Sequence, residues 1–169
     1  MKEYLGLIDV HTLGQRNDVT PLFADPVAFA ELVADLAAPI ESAGIDLVAG
    51  IDALGFILGT ALAIRLGKGF LPIRKGGKLP VAVDRVEFID YTGRPKSLEL
   101  RRGSFQPGTK VLLVDEWIET GAQVKAAAQL VEQQGGRVVG VSAIHIDVND
   151  NTRPILEKYD CQTVWEESE

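Results

Sequence analysis

The chain has 169 residues, of which 46% are hydrophobic and 24% are charged, a composition typical of one globular domain with a substantial core. Its formal net charge of −7 argues against a nucleic-acid partner, because such a partner requires a basic face. No apolar run is long enough to cross a bilayer, and the first residues lack the features of a signal peptide. We therefore expect one domain spanning residues 1–169 with no membrane partner. The single cysteine cannot form an internal disulfide, so we also expect a cytoplasmic location.

The first half of the chain predicts a helix, a strand and a second helix in succession. Asp25 and Pro26 mark a helix start, because an acidic N-cap followed by proline favours one. Residues 46–51 predict the first core strand, residues 52–55 a tight turn, and residues from about 56 the second helix. A strand, a glycine-bearing turn and a helix together form a unit that is able to hold an anion.

A cluster of positive charge follows the next predicted strand, residues 69–73. Arg74 and Lys75 stand at its C-terminal end, and Lys78 follows a pair of glycines that let the loop approach a ligand closely. In an otherwise acidic chain this cluster indicates a site for a polyanionic small molecule, although solvated surface side chains are an alternative explanation.

Residues 81–103 are predicted to form a flexible arm. Its apolar residues indicate two strands, and residues 92–95 (Thr-Gly-Arg-Pro) have the composition of the turn between them.

The most informative stretch runs from residue 111 to residue 123. Residues 111–114 are four aliphatic residues without alternation, which predicts a strand buried on both faces of a parallel sheet. Asp115 and Glu116 follow, and the loop 119–123 opens a helix whose apolar residues are spaced as one buried stripe. Because a helix N-terminus favours an anion and ionised carboxylates accept hydrogen bonds from hydroxyl groups, this unit suits a ribose 5-phosphate. Further strands are predicted over residues 137–146 and 162–165.

The stretch 111–123 resembles the phosphoribosyl pyrophosphate signature of type I phosphoribosyltransferases. Residues 18–26, and residues 48–56 through 74–80, resemble the adenine phosphoribosyltransferase branch of that family in order and spacing. The resemblance implies an α/β fold with a parallel sheet flanked by helices, a small N-terminal hood at residues 1–24 and the flexible β arm. It also implies a homodimer that transfers the 5-phosphoribosyl group of phosphoribosyl pyrophosphate to a purine base, adenine in that branch, and releases pyrophosphate.

The resemblance also assigns roles to individual residues. Asp115 and Glu116 would hold the ribose hydroxyls, Asp90 would act as a general acid or base, and Arg16 would contact the base. Magnesium would be bound mainly through the substrate, with no metal site formed by the protein alone. The 5-phosphate would be held by Glu119, Thr120, Gly121, Ala122 and Gln123. The pyrophosphate would be held by Arg74, Lys75, Lys78, Ala53, Leu54 and Gly55.

Several positions depart from the family pattern. Leu54 replaces an arginine, a loss that would weaken pyrophosphate binding by roughly 1.5–3 kcal/mol without a substitute. Glu119 and Gln123 replace a small residue and a threonine. Asp90-Tyr91 replaces a Glu-Tyr pair, and an ordinary hairpin edge explains Asp90 and Tyr91 equally well. Two alternatives therefore stay open: a phosphoribosyl-binding domain without catalysis, and a transferase with an altered substrate.

Overall fold

The computed structural model describes residues 2–13, 16–90 and 92–165. Nine strands are present in these ranges, namely β1 (Leu47–Ile51), β2 (Gly69–Lys75), β3 (Val83–Ile89), β4 (Pro95–Arg101), β5 (Lys110–Val114), β6 (Trp117–Ile118), β7 (Arg137–Ser142), β8 (His145–Ile146) and β9 (Asp160–Gln162). The α-helices are α1 (Thr20–Ala24), α2 (Pro26–Ala37), α3 (Leu54–Leu66), α4 (Ala122–Gln133) and α5 (Arg153–Lys158).

Seven strands form one sheet in the order β3-β4-β2-β1-β5-β7-β9. The five strands from β2 to β9 are parallel, and the β3–β4 hairpin joins the edge of β2 in antiparallel orientation. The predicted α/β class with a mostly parallel sheet is therefore confirmed.

Both faces of the sheet are buried, as the uninterrupted aliphatic run of β5 predicted. On β5, Leu112 and Val114 face a cluster that contains α2, α3 and part of the hood. Val111 and Leu113 face a second cluster that contains α4 and the apolar side of the β3–β4 hairpin. All four residues have no measurable solvent exposure, which places the end of β5 at the centre of the molecule.

One of the three predicted helix starts, that of α2, lies where its sequence signal places it. The Asp25 side chain accepts hydrogen bonds from the N–H groups of Val27 and Ala28, both at 2.9 Å, and so caps α2 as predicted. The other two starts lie earlier than expected: α3 begins at Leu54 and α4 begins at Ala122. Consequently Leu54 and Gly55, and likewise Ala122 and Gln123, are first-turn helical residues rather than loop residues.

Two strand predictions were wrong in their bounds. The predicted strand over residues 137–146 is two strands, because the chain leaves the main sheet after Ser142 and β8 pairs with β6 in a separate two-stranded sheet. The predicted last strand at residues 162–165 lies earlier, at Asp160–Gln162. The N–H groups of Val164 and Trp165 instead donate to the carbonyl of Ile144, which anchors this segment without extending the ladder.

The hood and the arm each contain backbone pairing of their own. In the hood, Asp9 and Asp18 form a two-way backbone bridge at 2.9 Å, and the Tyr4 hydroxyl donates to Asp35 at 2.7 Å. In the arm, the two predicted strands are present as β3 and β4 around the predicted turn. Tyr91, the second member of the predicted Asp90-Tyr91 pair, lies outside the described residues. In the part of the chain described, no helix is long and apolar enough to cross a membrane.

The N-terminus of α3 approaches the end of β5 very closely. A Cβ atom added to Gly55 would lie 2.5 Å from the carbonyl oxygen of Val114 and 3.3 Å from Oδ1 of Asp115. The nearest atom belongs to the backbone at the buried end of β5, which cannot rotate away as a flexible side chain would. Gly55 therefore sets the spacing between the turn after β1 and the acidic pair after β5.

We expect Gly55→Ala to lower the free energy of unfolding by about 1–3 kcal/mol, the usual cost of overpacking a buried site. Urea unfolding followed by circular dichroism would measure this change. Gly6→Ala is the matched control, because an added Cβ there meets no atom within 4 Å. An alanine variant at position 55 as stable as the native protein would contradict the close approach of α3 and β5.

Candidate functional site

The main cavity of the protein lies beyond the carboxyl ends of β1, β2 and β5, where ligands bind in open parallel sheets. Its volume is about 720 Å³, large enough for a nucleotide-sized ligand. Five parts of the chain contribute to its wall, namely the hood (Arg16, Asn17), the β1–α3 connection (Asp52, Ala53, Leu54), the end of β2 (Lys75, Gly76), the arm (Phe88, Asp90, Pro95, Lys96, Ser97) and the segment after β5 (Asp115, Glu116, Trp117, Glu119, Gln123).

The acidic pair lies at the centre of this cavity. Asp115 is buried, whereas Glu116 is half-buried, and the N–H of Glu116 donates to Oδ1 of Asp115 at 2.9 Å. Burial raises the pKa of Asp115 well above its ordinary value, and the adjacent negative charge of Glu116 raises the pKa further, while Lys75 opposes both effects. The pair thus holds a buried carboxyl group whose ionisation a cation or hydroxyl donors would favour.

The predicted phosphate loop leads directly into α4. Gly121 precedes the helix with a φ of 68°, and no side chain caps the first turn of α4. Thr120 makes only a long contact there, accepting from the Ala122 N–H at 3.4 Å. Thr120, Gly121, Ala122 and Gln123 line a small recess beside the main cavity, so the loop residues predicted to bind phosphate are brought together. The first-turn amides and the helix dipole favour an anion in this recess.

Glu119 lies in the same recess and also lines the main cavity. One of its carboxylate oxygens is 3.4 Å from Nε of Arg16, so the hood supplies a positive charge beside it. Its carbonyl oxygen accepts a hydrogen bond from the Asn149 side chain at 2.8 Å, which fixes the loop backbone. The carboxylate thus faces the ligand side of the loop, and Arg16, predicted to contact the base, lies beside it.

The residues predicted to bind pyrophosphate are divided by the structure. Lys75, Ala53 and Leu54 line the cavity, whereas Gly55 is buried behind it. Arg74 does not line the cavity: its Nε lies 3.1 Å from Oδ2 of Asp52, and its guanidinium lies 5.9 Å from the centre of the Phe56 ring.

Lys78 is exposed and does not line the cavity. Because Arg74 is bound to Asp52, it does not replace the arginine that Leu54 displaces.

Asp90 lines the cavity but is engaged by the turn of the arm. Its Oδ1 accepts hydrogen bonds from the N–H and hydroxyl of Thr92, at 2.9 and 2.6 Å, and from the N–H of Arg94 at 3.0 Å. The hydrogen bond from the Thr92 side chain lowers the pKa of Asp90, which makes the carboxylate a weaker base. Its role as general acid or base therefore stays a prediction.

Eight wall residues were absent from the set of site residues predicted from the sequence: Asn17, Asp52, Gly76, Phe88, Pro95, Lys96, Ser97 and Trp117. Lys96 is the most informative of these, because it adds a cation to the part of the wall that the arm forms. No motif marks it, and only the hairpin turn at residues 92–95 indicated that β4 would run back towards the site. Trp117 also lines the cavity, and its ring packs against His145 at 4.8 Å. Nδ1 of His145 lies 3.2 Å from the carbonyl oxygen of Trp165.

Comparison with known proteins identifies the family of this chain. A model of the phosphoribosyl transferase domain matches residues 24–168. The chain belongs to the phosphoribosyltransferase family. An adenine phosphoribosyltransferase from Dinoroseobacter shibae is 44% identical over 145 residues, which cover 85% of this chain and 80% of that relative.

Solved structures of phosphoribosyltransferases agree in fold. Adenine phosphoribosyltransferase from Thermoanaerobacter pseudethanolicus superposes with a TM-score of 0.87 at 33% identity, covering 95% of this chain and 96% of that one. The enzyme from Saccharomyces cerevisiae, complexed with an imino-altritol bisphosphate and adenine, has a TM-score of 0.79 at 28% identity, covering 88% and 85% of the two chains. The predicted family and fold are therefore confirmed.

The buried charge of Asp115 gives a testable effect on stability. In the unfolded chain Asp115 ionises at its ordinary pKa, but in the folded phosphoribosyltransferase its pKa is raised. The native protein therefore loses stability as pH rises through this interval, and Asp115→Asn removes that loss while keeping an oxygen for the Glu116 N–H. We expect the variant to be more stable by roughly 1 kcal/mol at about pH 8, with the difference disappearing towards about pH 4.

Urea unfolding at both pH values would measure the difference. Asp150→Asn is the matched control, because its side chain is 95% exposed and its removal should leave stability unchanged within about 0.5 kcal/mol. A native protein more stable than Asp115→Asn at the higher pH would show that the Asp115 carboxylate stabilises the fold.

Proposed function

We propose that this phosphoribosyltransferase transfers the 5-phosphoribosyl group of phosphoribosyl pyrophosphate to adenine, giving adenosine monophosphate and pyrophosphate. The observation that carries the proposal is that Asp115 lines both the α4 recess and the main cavity, whose wall also contains Glu116 and Lys75. The phosphate recess, the acidic pair and the cationic edge would then meet the 5-phosphate, the ribose and the pyrophosphate of the substrate, respectively. The similarity to adenine-specific relatives over most of the chain supports adenine as the base.

Each part of the cavity then has a chemical task. The first turn of α4 and Thr120 hold the 5-phosphate, and the carboxylates of Asp115 and Glu116 accept hydrogen bonds from the ribose hydroxyls. As the bond to pyrophosphate breaks, positive charge develops on the sugar, and these fixed carboxylates stabilise it more than they stabilise the ground state. Lys75 and Lys96 would face the leaving pyrophosphate, and Trp117 and Phe88 give the cavity wall apolar surface beside the sugar.

Magnesium fits the charge of this site. Five carboxylates and three cationic side chains line the cavity, so a substrate rich in phosphate would meet a wall with an excess of negative charge. Asp115 and Glu116 provide oxygen ligands of the type that magnesium prefers, and substrate oxygens would complete its coordination. Within the described residues no group of three or more His, Cys, Asp or Glu side chains is arranged to hold a metal. Bound between these carboxylates and the substrate, Mg²⁺ would offset the negative charge of the leaving pyrophosphate.

The family resemblance further supports a homodimer, and the single cysteine supports a cytoplasmic location. Both stay predictions of the sequence.

One observation favours a second candidate function. The Glu119 carboxylate lies in the recess where the 5-phosphate would bind, and it would repel a phosphate at about 4 Å by about 4 kcal/mol at an effective dielectric near 20. Arg16 offsets part of this repulsion. A transferase with an altered substrate, or a phosphoribosyl-binding domain without catalysis, would account for a carboxylate at this position.

The transfer reaction is tested directly by incubating the protein with phosphoribosyl pyrophosphate, magnesium and adenine, and following the formation of adenosine monophosphate. We expect product with adenine, and a drop in kcat of at least about 100-fold in Asp115→Asn and Glu116→Gln, because each removes a fixed charge at the sugar. Guanine in place of adenine serves as the control for base selectivity. Absence of product from the native protein, with phosphoribosyl pyrophosphate still bound in calorimetry, would favour the binding domain.

Replacing Glu119 separates the two candidate functions. If its charge only opposes the phosphate, Glu119→Ala should bind adenosine monophosphate about tenfold more tightly, or about 1.4 kcal/mol, because the repulsion is lost and Arg16 can face the phosphate. Isothermal titration calorimetry would measure the dissociation constant. Glu157→Ala, an exposed substitution on α5, should leave it unchanged. Weaker binding by Glu119→Ala would instead show that the carboxylate recognises the ligand.

A further inference from the structure

A buried carboxylate outside the cavity wall is bound by the loop that follows β2. Glu99 lies on β4 and is 1% exposed, so its charge is removed from water. Its Oε1 accepts from the N–H groups of Lys78 and Leu79, both at 2.6 Å, and its Oε2 accepts from the N–H of Gly77 at 2.8 Å. Arg85 adds a fourth donor to Oε2 at 3.1 Å.

These donors outweigh the cost of burying the charge. Burial by itself raises the pKa of Glu99, but the hydrogen bonds from the three backbone amides and from Arg85 lower it to about 2. The side chain is therefore an anion throughout the working pH range. Three successive amides converging on one carboxylate form an anion-binding loop whose anion is supplied by the protein itself.

The loop held in this way continues directly from the cavity wall. Gly76 lines the cavity, and its N–H donates to the carbonyl of Ser97 on β4 at 2.9 Å. A Cβ atom at Gly76 would lie 2.1 Å from the Ser97 hydroxyl oxygen, so the loop backbone packs directly on β4. Lys75 immediately precedes Gly76 and lines the cavity. Glu99 and Ser97 together therefore fix the chain on the C-terminal side of Lys75.

We propose that Glu99 is a positioning residue for pyrophosphate binding: it holds the loop of residues 76–79 against β4 and so keeps Lys75 and Gly76 at the cavity edge. The inference rests on the proposed function, because pyrophosphate is the group that this edge would face. It also changes the role expected for the glycine loop. The amides of residues 77–79 bind Glu99 rather than the substrate, and the loop acts through Lys75.

The Glu99→Gln variant keeps some of the hydrogen bonds to the loop and removes others. The amide oxygen can still accept the two N–H groups that reach Oε1, but the NH₂ group then faces the Gly77 N–H and Arg85, which are both donors. The Gly77 end of the loop, nearest Lys75, therefore loses its acceptor while the side-chain volume is kept. Glu99→Asp keeps the charge but shortens the side chain by one methylene.

The experiment is steady-state kinetics of phosphoribosyl transfer with each substrate varied in turn. We expect Glu99→Gln to raise KM for phosphoribosyl pyrophosphate about tenfold and Glu99→Asp about threefold, because a displaced loop misplaces Lys75, while KM for adenine stays within about twofold. Glu87→Gln is the matched control, since it removes an exposed carboxylate from the neighbouring strand and should change neither constant. Loss of kcat alone, with both KM values unchanged, is the signature of a smaller folded fraction and would overturn the inference.

Two further measurements cover the cases in which Glu99→Gln does not fold or the native protein is inactive. If Glu99→Gln does not fold, as judged by circular dichroism, an unchanged KM for phosphoribosyl pyrophosphate in folded Glu99→Asp overturns the inference. If the native protein transfers no phosphoribosyl group, the proposed function fails, and calorimetry with magnesium pyrophosphate tests Glu99 separately. Weaker binding by the Glu99 variants than by Glu87→Gln would support the positioning role, and equal binding would overturn it.

Discussion

The burial of one carboxyl group at the end of the central strand is the constraint on which the site depends. Asp115 follows four residues that have no solvent exposure, so the sheet itself carries the side chain into the interior. The α3 helix reaches it only because Gly55 allows backbone contact. A charge held this way is unfavourable in the free protein and favourable when a cation or hydroxyl donors arrive. Stability and ligand binding therefore oppose each other at this residue.

The cavity around Asp115 is built from pairs of opposite charge that belong to different segments. Arg16 of the hood meets Glu119 of the phosphate loop, and Arg74 of β2 meets Asp52 of the β1–α3 connection. Both members of the first pair line the cavity, whereas only Asp52 of the second pair does. This division shows why charge clusters in a sequence overestimate a binding site: adjacent residues of a strand point to opposite faces.

Much of the fold and of the site was predictable from the sequence, and the features that were not predictable have physical causes. The aliphatic run at residues 111–114 specified the central strand, and the three motifs in order specified the family. The sequence could not tell that Arg74 would turn away while Lys75 faced the cavity, since that depends on the register of β2 against its neighbours. Lys96 and Phe88 were missed because a hairpin has no motif for the face it presents. The division of residues 137–146 into two strands depends on the pairing of β8 with β6, a contact distant in sequence.

The attachment of the β3–β4 hairpin has a mechanical consequence. Seven residue pairs join β3 to β4, but only two, Arg74 with Glu99 and Lys75 with Leu98, join β4 to β2. The apolar side of the hairpin also packs on α4, but its strand pairing with the rest of the sheet is confined to this short stretch, which includes the lysine that lines the cavity. A shift of the hairpin would therefore shift that lysine, so contacts made far out on the hairpin and the electrostatics of the cavity edge are mechanically coupled.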